Sequence, residues 1–400
     1  MKKLSVLLFS LLLVACNSVT DNDILNQFSN TDFYKISEEE ALSQAKSFLS
    51  DFEVSSRSGS KTAPKKIKSI QPLKSKVVAT RANVSSSLPD TMAYIIDFDE
   101  DNGFMLVSAD RRVEGVLAYV ESGDFSSYEE IDNKGFNMFL DGLQKYYAKE
   151  IQKANLQTVS TSSSEWVTDS LVMPILNCKW GQFMPYNLYC FTTTGQRAAA
   201  GCVAVAFGQI FTAHAYPEEY NDFYYDWDDI TTGPSSHSPS GTISIARLLS
   251  DIGQLFYMNY GVTESTTTFY SLTDGLDILN YNWERGDYDF SIIKGNLNNG
   301  YPVFTSGIAY HNYGHAWVID GYATRKKYEM QENGNNNCVD SQHLVHCNWG
   351  YEGTYDGYFI SEAFTMIGRV ADDDYENVTP SEYDMFNYSS DLKIYYDIYP

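Results

Sequence analysis

The run AAAGCVAVAFGQIF at residues 198–211 constrains this chain more than any other segment. Gly201 permits a tight turn, and the Ala/Val-rich positions after it repeat as a small-residue amphipathic helix. That helix carries the Cys202 thiol at its N-terminus, where the partial positive charge of the unpaired amides favours thiolate over thiol. A nucleophilic cysteine requires this. By itself, however, a cysteine among Ala and Val is more often an inert buried residue, so the reading depends on partners elsewhere.

A thiolate at neutral pH needs an imidazole, and all six histidines follow Cys202. His214 lies twelve residues along the same helix, about 18 Å away by helical rise, and is out of reach. His237 sits in a Ser/Pro/Gly loop, His311 precedes a turn-rich stretch, and His343 and His346 flank a later strand. His315 opens the run HAWVIDGY directly after Gly314, at a strand start, and is the best placed. In HCNWGYEGTYDGYF at 346–359, the Asn348 amide oxygen is suited to hold the distal imidazole nitrogen, with the Trp349 indole shielding that bond from water. In KWGQFMPYN at 179–187, Gln182 offers an amide N–H to a tetrahedral oxyanion. Each segment alone also reads as an aromatic turn or a solvated polar residue.

Together they are more specific. The segments WGQ-x-x-PYN (180–187), GQ-x-A-A-x-GCVA-x-A (195–206), GHA-x-VIDG (314–321) and H-x-NWG-x-x-G-x-x-DG-x-F (346–359) resemble, in order, those of streptopain-type papain-like cysteine peptidases. Residues 22–150, with GFMLVSADRR, resemble the streptopain-inhibitor-like propeptide of such enzymes. The resemblance implies Cys202 as nucleophile, His315 as general base and acid, Gln182 as oxyanion donor, and Asn348 with Trp349 as support for His315. Gln196, six residues before the cysteine, is the alternative oxyanion donor. Tyr351 and Glu352 stand where the family usually has a second Trp and a Gly, and residues 325–342 read as a polar insertion. The implied fold is α+β: a papain-like domain whose helix-start cysteine packs on an antiparallel sheet carrying His and Asn, preceded by a small α+β propeptide domain.

Local patterns supply the organisation. Lys2 and Lys3, an apolar run from Leu4 to Val14 and the tetrapeptide Leu13-Val14-Ala15-Cys16 resemble a bacterial lipoprotein signal, with Cys16 as the lipidated residue of the mature chain. Residues 37–52 read as a capped amphipathic helix, 93–125 as an antiparallel meander and 126–155 as a second helix. The basic stretch 55–83 reads as an exposed loop, and the Ser/Thr-rich 156–166 as a protease-accessible linker. Helices are expected near 202–213 and 243–259, and strands at 301–308, 315–323, 343–349 and 357–361. The expected domains are a signal peptide at 1–15, propeptide and linker at 16–165, and peptidase at 166–400.

A formal charge of −24, from 52 acids and 28 bases, argues against a nucleic-acid partner. Residues 166–400 hold 29 acids and 10 bases, so the −19 there is most of it. Five cysteines remain after Cys16 (Cys178, Cys190, Cys202, Cys338, Cys347), an odd number that leaves at least one free thiol or an intermolecular bridge; Cys202 is expected to stay free while the other four can be oxidised. No pair has zinc-ribbon spacing, and neither metal nor organic cofactor is expected. The expectation is an exported cysteine endopeptidase, anchored to the membrane by lipid only. It is made as a zymogen, acts on polypeptides and is inhibited by its own propeptide. The alternatives are a catalytically idle binding or inhibitor lipoprotein and a Cys-His acyltransferase.

Overall fold

The computed structural model describes residues 33–55, 65–75, 88–113, 115–125, 131–154, 166–232, 239–308, 314–330, 336–367 and 392–400. Ile36–Pro400 is one compact unit, separate from Met1–Lys35. The lipoprotein signal with Cys16 and the linker residues 156–165 lie outside the described residues.

In chain order the larger unit contains α1 (Glu38–Ser55), β1 (Ile67–Lys74), β2 (Thr91–Phe98), β3 (Phe104–Ser108), β4 (Val116–Val120), α2 (Lys134–Ala154) and β5 (Trp166–Val172). These are followed by α3 (Cys202–Thr212), β6 (Glu219–Tyr220), β7 (Phe223–Tyr224), α4 (Trp227–Thr232), α5 (Pro239–Leu255), α6 (Phe269–Ile278), β8 (Asn282–Asp287) and α7 (Phe290–Asn298). The last elements are β9 (Val303–Ile308), β10 (Gly314–Met330), β11 (Asn336–Asn348), β12 (Gly357–Ile360), α8 (Ser361–Phe364) and β13 (Lys393–Tyr399).

Helix α1 starts on a reciprocal cap: Ser37 N donates to the Glu40 carboxylate at 2.9 Å and Glu40 N to Ser37 Oγ at 3.2 Å. It buries Ala41, Ala45, Phe48 and Phe52, one helical stripe, against the β2–β4 face. Helix α2 begins at Asn133, whose Oδ1 accepts from Phe136 N at 2.9 Å. Phe136, Phe139, Leu140, Leu143, Tyr147 and Ile151 recur at helical spacing and are buried.

The meander does not close on a sheet of its own. Strand order is β1-β2-β3-β4-β12-β11-β10-β9-β13-β8, because β4 pairs antiparallel with β12 (Gly357↔Val120, Tyr358↔Tyr119, Phe359↔Ala118). One core under α2 joins Phe104, Leu117 and Phe139 from the N-terminal part to Trp317, Trp349, Phe359 and Phe364 from the C-terminal part. A second core, around α3 and α5, fills with small residues on α3: a Cβ at Gly208 would lie 2.7 Å from Leu249 Cδ2.

Two expectations change. Within the basic stretch, residues 67–74 form β1 at the sheet's end, pairing β2 from Ile67↔Phe98 to Lys74↔Thr91. Most of its side chains remain accessible, which is why the composition resembles a loop, and Pro72 is tolerated on such a strand. The described residues of the polar stretch 325–342 form the outer arm of the β10–β11 hairpin, paired from Val318↔Asn348 to Met330↔Asn336, rather than a loop. Residues 336–341 are exposed, so no alternation marks them. Strand β9 pairs the inner half of β10 and β5 the outer half, Tyr322↔Val172 to Lys327↔Trp166. There the buried Arg325 donates Nη2 to Trp166 O at 3.2 Å and faces Asp51 of α1 at 3.4 Å. All five described cysteines are free thiols, so the odd thiol does not arise from pairing of the other four.

The β4–β12 contact leaves no room for a side chain, since a Cβ at Gly357 would lie 2.2 Å from Tyr119 O and 2.8 Å from Val120 Cα. Gly357→Ala is therefore expected to destabilise the chain by about 1–3 kcal/mol. Residues 36–154 should become protease-sensitive before residues 166–400 do, as read by denaturant melts and limited proteolysis.

Candidate active site

Cys202 is the first residue of α3, and Gly201 before it has φ 95°, a left-handed conformation that glycine adopts without strain. A side chain at Gly201 would press on Met258 and Ser265. The chain entering the helix is fixed from two sides. Ala200 N donates to Gln182 O at 2.8 Å and Ala199 N to Gly261 O at 2.9 Å, while Ser265 Oγ donates to Ala199 O at 2.7 Å. The Gln182 backbone thus lies beside the segment that leads into Cys202. Gln196 lies exposed on the turn bridged by Phe191 and Arg197, with its backbone bonded to Thr192.

His315 is the second residue of β10 and is buried. Its Nε2 lies 2.9 Å from the Trp349 carbonyl oxygen. A carbonyl only accepts, so Nε2 carries the proton and Nδ1 holds the lone pair in the neutral ring. Burial, aided by the charge of Lys134, pushes the imidazole down to about 4. Burial also raises the Cys202 thiol, against an opposing hydrogen bond from the Ala316 backbone, the residue next to His315. As the chain stands, thiol and imidazole are both uncharged at neutral pH.

Asn348 takes a different position from the one its neighbour Trp349 suggested. Its Oδ1 accepts from Gln209 Nε2 at 3.1 Å and Gly350 N at 3.2 Å, and its Nδ2 donates to Cys178 O at 2.8 Å. Gln209, on α3, also accepts from Trp180 N at 3.1 Å. Asn348 therefore ties the Gln182 segment, the cysteine helix and the turn after β11 together, while the imidazole is held by the main chain one residue later. Trp349 is fully buried. Its N–H donates to Asp356 Oδ1 at 2.9 Å and its indole to Tyr355 O at 2.9 Å. Burial pushes the Asp356 carboxyl up to about 7, against the Trp349 amide and the His346 charge.

The other histidines have different partners. His343 Nδ1 is 2.8 Å from Glu362, and His214 packs at Tyr281 and Tyr301. His237 and His311 lie outside the described residues. His346 is buried, with Nδ1 2.6 Å from Asp320 and Nε2 3.5 Å from Glu121 at the end of β4. Burial opposes its charge, but the two carboxylates overcome that and push it up to about 10.

Sequence reasoning missed Gln209, Asp356, the Asp320–His346–Glu121 group and the start of α2. Only Asp356 carried a local signal, the Asp-Gly pair of the last motif. The start of α2 lies over the site. A Cβ at Gly135 would lie 2.2 Å from Trp349 Cε3 and 2.9 Å from His315 Cδ2, so only glycine fits. Lys134 N donates to Tyr351 Oη at 3.3 Å, and the Tyr351 ring is 5.5 Å from that of His315. Lys134 Nζ pairs with Glu264 at 2.9 Å.

Most of the chain resembles known proteins. Residues 180–359 match the Peptidase C10 family and residues 34–147 the Spi protease inhibitor family. The chain is 25% identical over 333 residues to Streptopain of Streptococcus pyogenes, covering 71% of this chain and 77% of that protein. It is 23% identical over 317 residues to the Thiol protease/hemagglutinin PrtT of Porphyromonas gingivalis, covering 68% of this chain and 34% of that longer one. In fold it is similar to a prointerpain A fragment of Prevotella intermedia, with TM-score 0.54 and 20% identity, covering 84% of this chain and 99% of the fragment.

The hydrogen bonds separate two kinds of variant. Asn348→Ala orphans buried partners and is expected to cost about 1–3 kcal/mol of stability, with the imidazole limb of the pH–rate profile unmoved. Asp356→Ala releases the Trp349 peptide that holds His315 and should displace that limb. Paired melts and pH–rate profiles on the two variants check this.

Proposed function

Since the chain is a streptopain-type, papain-like cysteine peptidase with a propeptide, we propose that it is an exported zymogen whose N-terminal part seats the first turn of α2 on its own active site. The proposed boundaries are residues 1–15 as signal peptide, 16–165 as propeptide and linker, and 166–400 as peptidase, with Cys16 as the lipid anchor. In the released enzyme, His315 Nδ1 takes the Cys202 proton and the thiolate sulfur bonds to the substrate carbonyl carbon. The Gln182 amide and the N-terminus of α3 stabilise the oxyanion. The imidazolium protonates the leaving amine as the C–N bond breaks. Water, deprotonated by the same nitrogen, then splits the thioester and releases the acid.

The observation that carries latency is the fit of Gly135 against His315 and Trp349. With Lys134 above and solvent excluded, the imidazole is held neutral, and a neutral thiol is a poor nucleophile. Withdrawal of α2 removes both causes. Intact-mass analysis with an irreversible epoxysuccinyl thiol-protease inhibitor tests the reading. Linker-cut enzyme is expected to gain one adduct on Cys202 and to hydrolyse peptides, uncut precursor to do neither at comparable rate, and Cys202→Ala to accumulate at full length. An idle binding lipoprotein would gain no adduct, and an acyltransferase would label without hydrolysing peptides.

Acid favours opening. Burial alone would raise Glu121, but the hydrogen bond and charge of His346, with Lys179 and Lys65, bring it below its ordinary value. His315 is lowered to about 4 and Lys65, by burial, to about 8. His315 and Glu121 lose these surroundings when the N-terminal part leaves, whereas the groups packed on Lys65 (Asn102, Glu121, Phe98 and Tyr119) leave with it, so the open state binds more protons at His315 and Glu121. The closed state is thus fully favoured above the ordinary histidine value of 6.5 and weakens as pH falls toward 4; Glu121 adds to the loss as it protonates. His346 keeps Asp320 in both states. In the Cys202→Ala precursor, amide exchange at the first turn of α2, corrected for intrinsic rate, is expected to be faster at about pH 5 than at about pH 7.5. Equal protection at both would overturn the linkage.

A further inference from the structure

Lys134 is an unusual residue for its position. It opens α2, where the helix dipole disfavours a cation, and its charge bears unfavourably on the imidazolium of His315. Its charge is compensated by Glu264, whose carboxylate lies 2.9 Å from Nζ, and its backbone N–H donates to Tyr351 Oη. Glu264 belongs to the loop spanned by the Asn259↔Thr266 bridge. That loop is tied through Gly261 and Ser265 to Ala199, three residues before Cys202. Its position relative to the nucleophile is therefore fixed by hydrogen bonds. Tyr351, which meets both the Lys134 amide and the His315 ring, is one of the two positions at which this chain departs from the family pattern. The segment that covers His315 is thus held as a bound polypeptide would be, by one main-chain contact and one side-chain charge.

We propose that Glu264 and Tyr351 form a substrate subsite in the released enzyme, with Tyr351 taking a backbone amide and Glu264 selecting Lys or Arg near the scissile bond. The inference rests on the peptidase reading above and names its substrate class. When α2 leaves, Glu264 loses its cation, and its side chain, already 63% exposed beside Lys134, lies open at the rim. Nothing in the site must rearrange for a substrate cation to replace Lys134. The net charge of −19 over residues 166–400 adds a long-range field that draws cationic segments to the cleft. An exposed pair of this kind is modest, so the selectivity should be about two- to five-fold.

The test uses linker-cut enzyme and a peptide set carrying Lys, norleucine or Glu at each of the two positions on either side of one scissile bond. At one position kcat/KM should rank Lys above norleucine above Glu, and the Lys-to-norleucine ratio should shrink with added salt. In Glu264→Gln that ratio should fall toward one, and in Glu264→Lys the order of Lys and Glu should reverse. Hydrolysis with no preference for Lys at any position, or a preference unchanged in both variants, overturns the subsite and leaves the peptidase reading standing. Absence of hydrolysis for every peptide, together with no inhibitor adduct on Cys202, would instead overturn the peptidase reading. A salt-sensitive Lys preference confined to one of the four positions decides the matter even if a variant fails to fold, since the long-range field acts on all four alike.

Discussion

A carbonyl oxygen accepts hydrogen bonds and never donates them, and much of this site follows from where one carbonyl points. The Trp349 carbonyl fixes the proton on His315 Nε2 and leaves Nδ1 as the basic nitrogen. That carbonyl is aimed by its own residue's amide, bonded to the buried Asp356, and by the indole, bonded to Tyr355. Asn348, one residue earlier, joins the same turn to α3 and to the segment before Gln182. The imidazole is therefore set by backbone geometry that the β10–β11 hairpin and the Asp-Gly turn impose together.

The same hairpin explains how the N-terminal part engages the rest. Strand β12 lies between β11 and β4, so residues that precede the peptidase segment extend its sheet, and α2 covers a core to which both parts contribute. Once β4 is in register, α2 has one place to pack, and its first turn meets His315 and Trp349. Glu121, at the end of β4, is brought to His346 by the same register. Coverage of the site and burial of the charge group are thus two results of one strand pairing.

What was legible in the sequence was local. Gly201 and the Ala/Val run announced α3 with Cys202 at its start; Ser37 and the acids after it announced the cap of α1; and the apolar spacing of Phe136, Phe139 and Leu143 announced α2. The α+β class followed from these together with the short strands. The outer hairpin arm was missed because residues 336–341 bury nothing and show no alternation. β1 was missed because a terminal strand rich in Lys has the composition of a loop. The β4–β12 pairing joins segments far apart in the chain, and register between such segments has no local signature. The Trp349 carbonyl was invisible for a simpler reason: every residue has one, and a side-chain motif drew attention to the amide of Asn348 instead.

The pairing of β4 with β12 also bears on what processing would leave behind. A strand with neighbours on both sides has its backbone groups satisfied; strip one neighbour and a row of amides and carbonyls becomes a template for any extended chain, which is how soluble proteins begin to aggregate. Strand β12 is only four residues long, opens with a glycine and runs directly into α8. An edge that short offers few consecutive hydrogen bonds to a stray strand. The brevity that makes β12 a small foothold for β4 would therefore help a freed peptidase remain monomeric in solution.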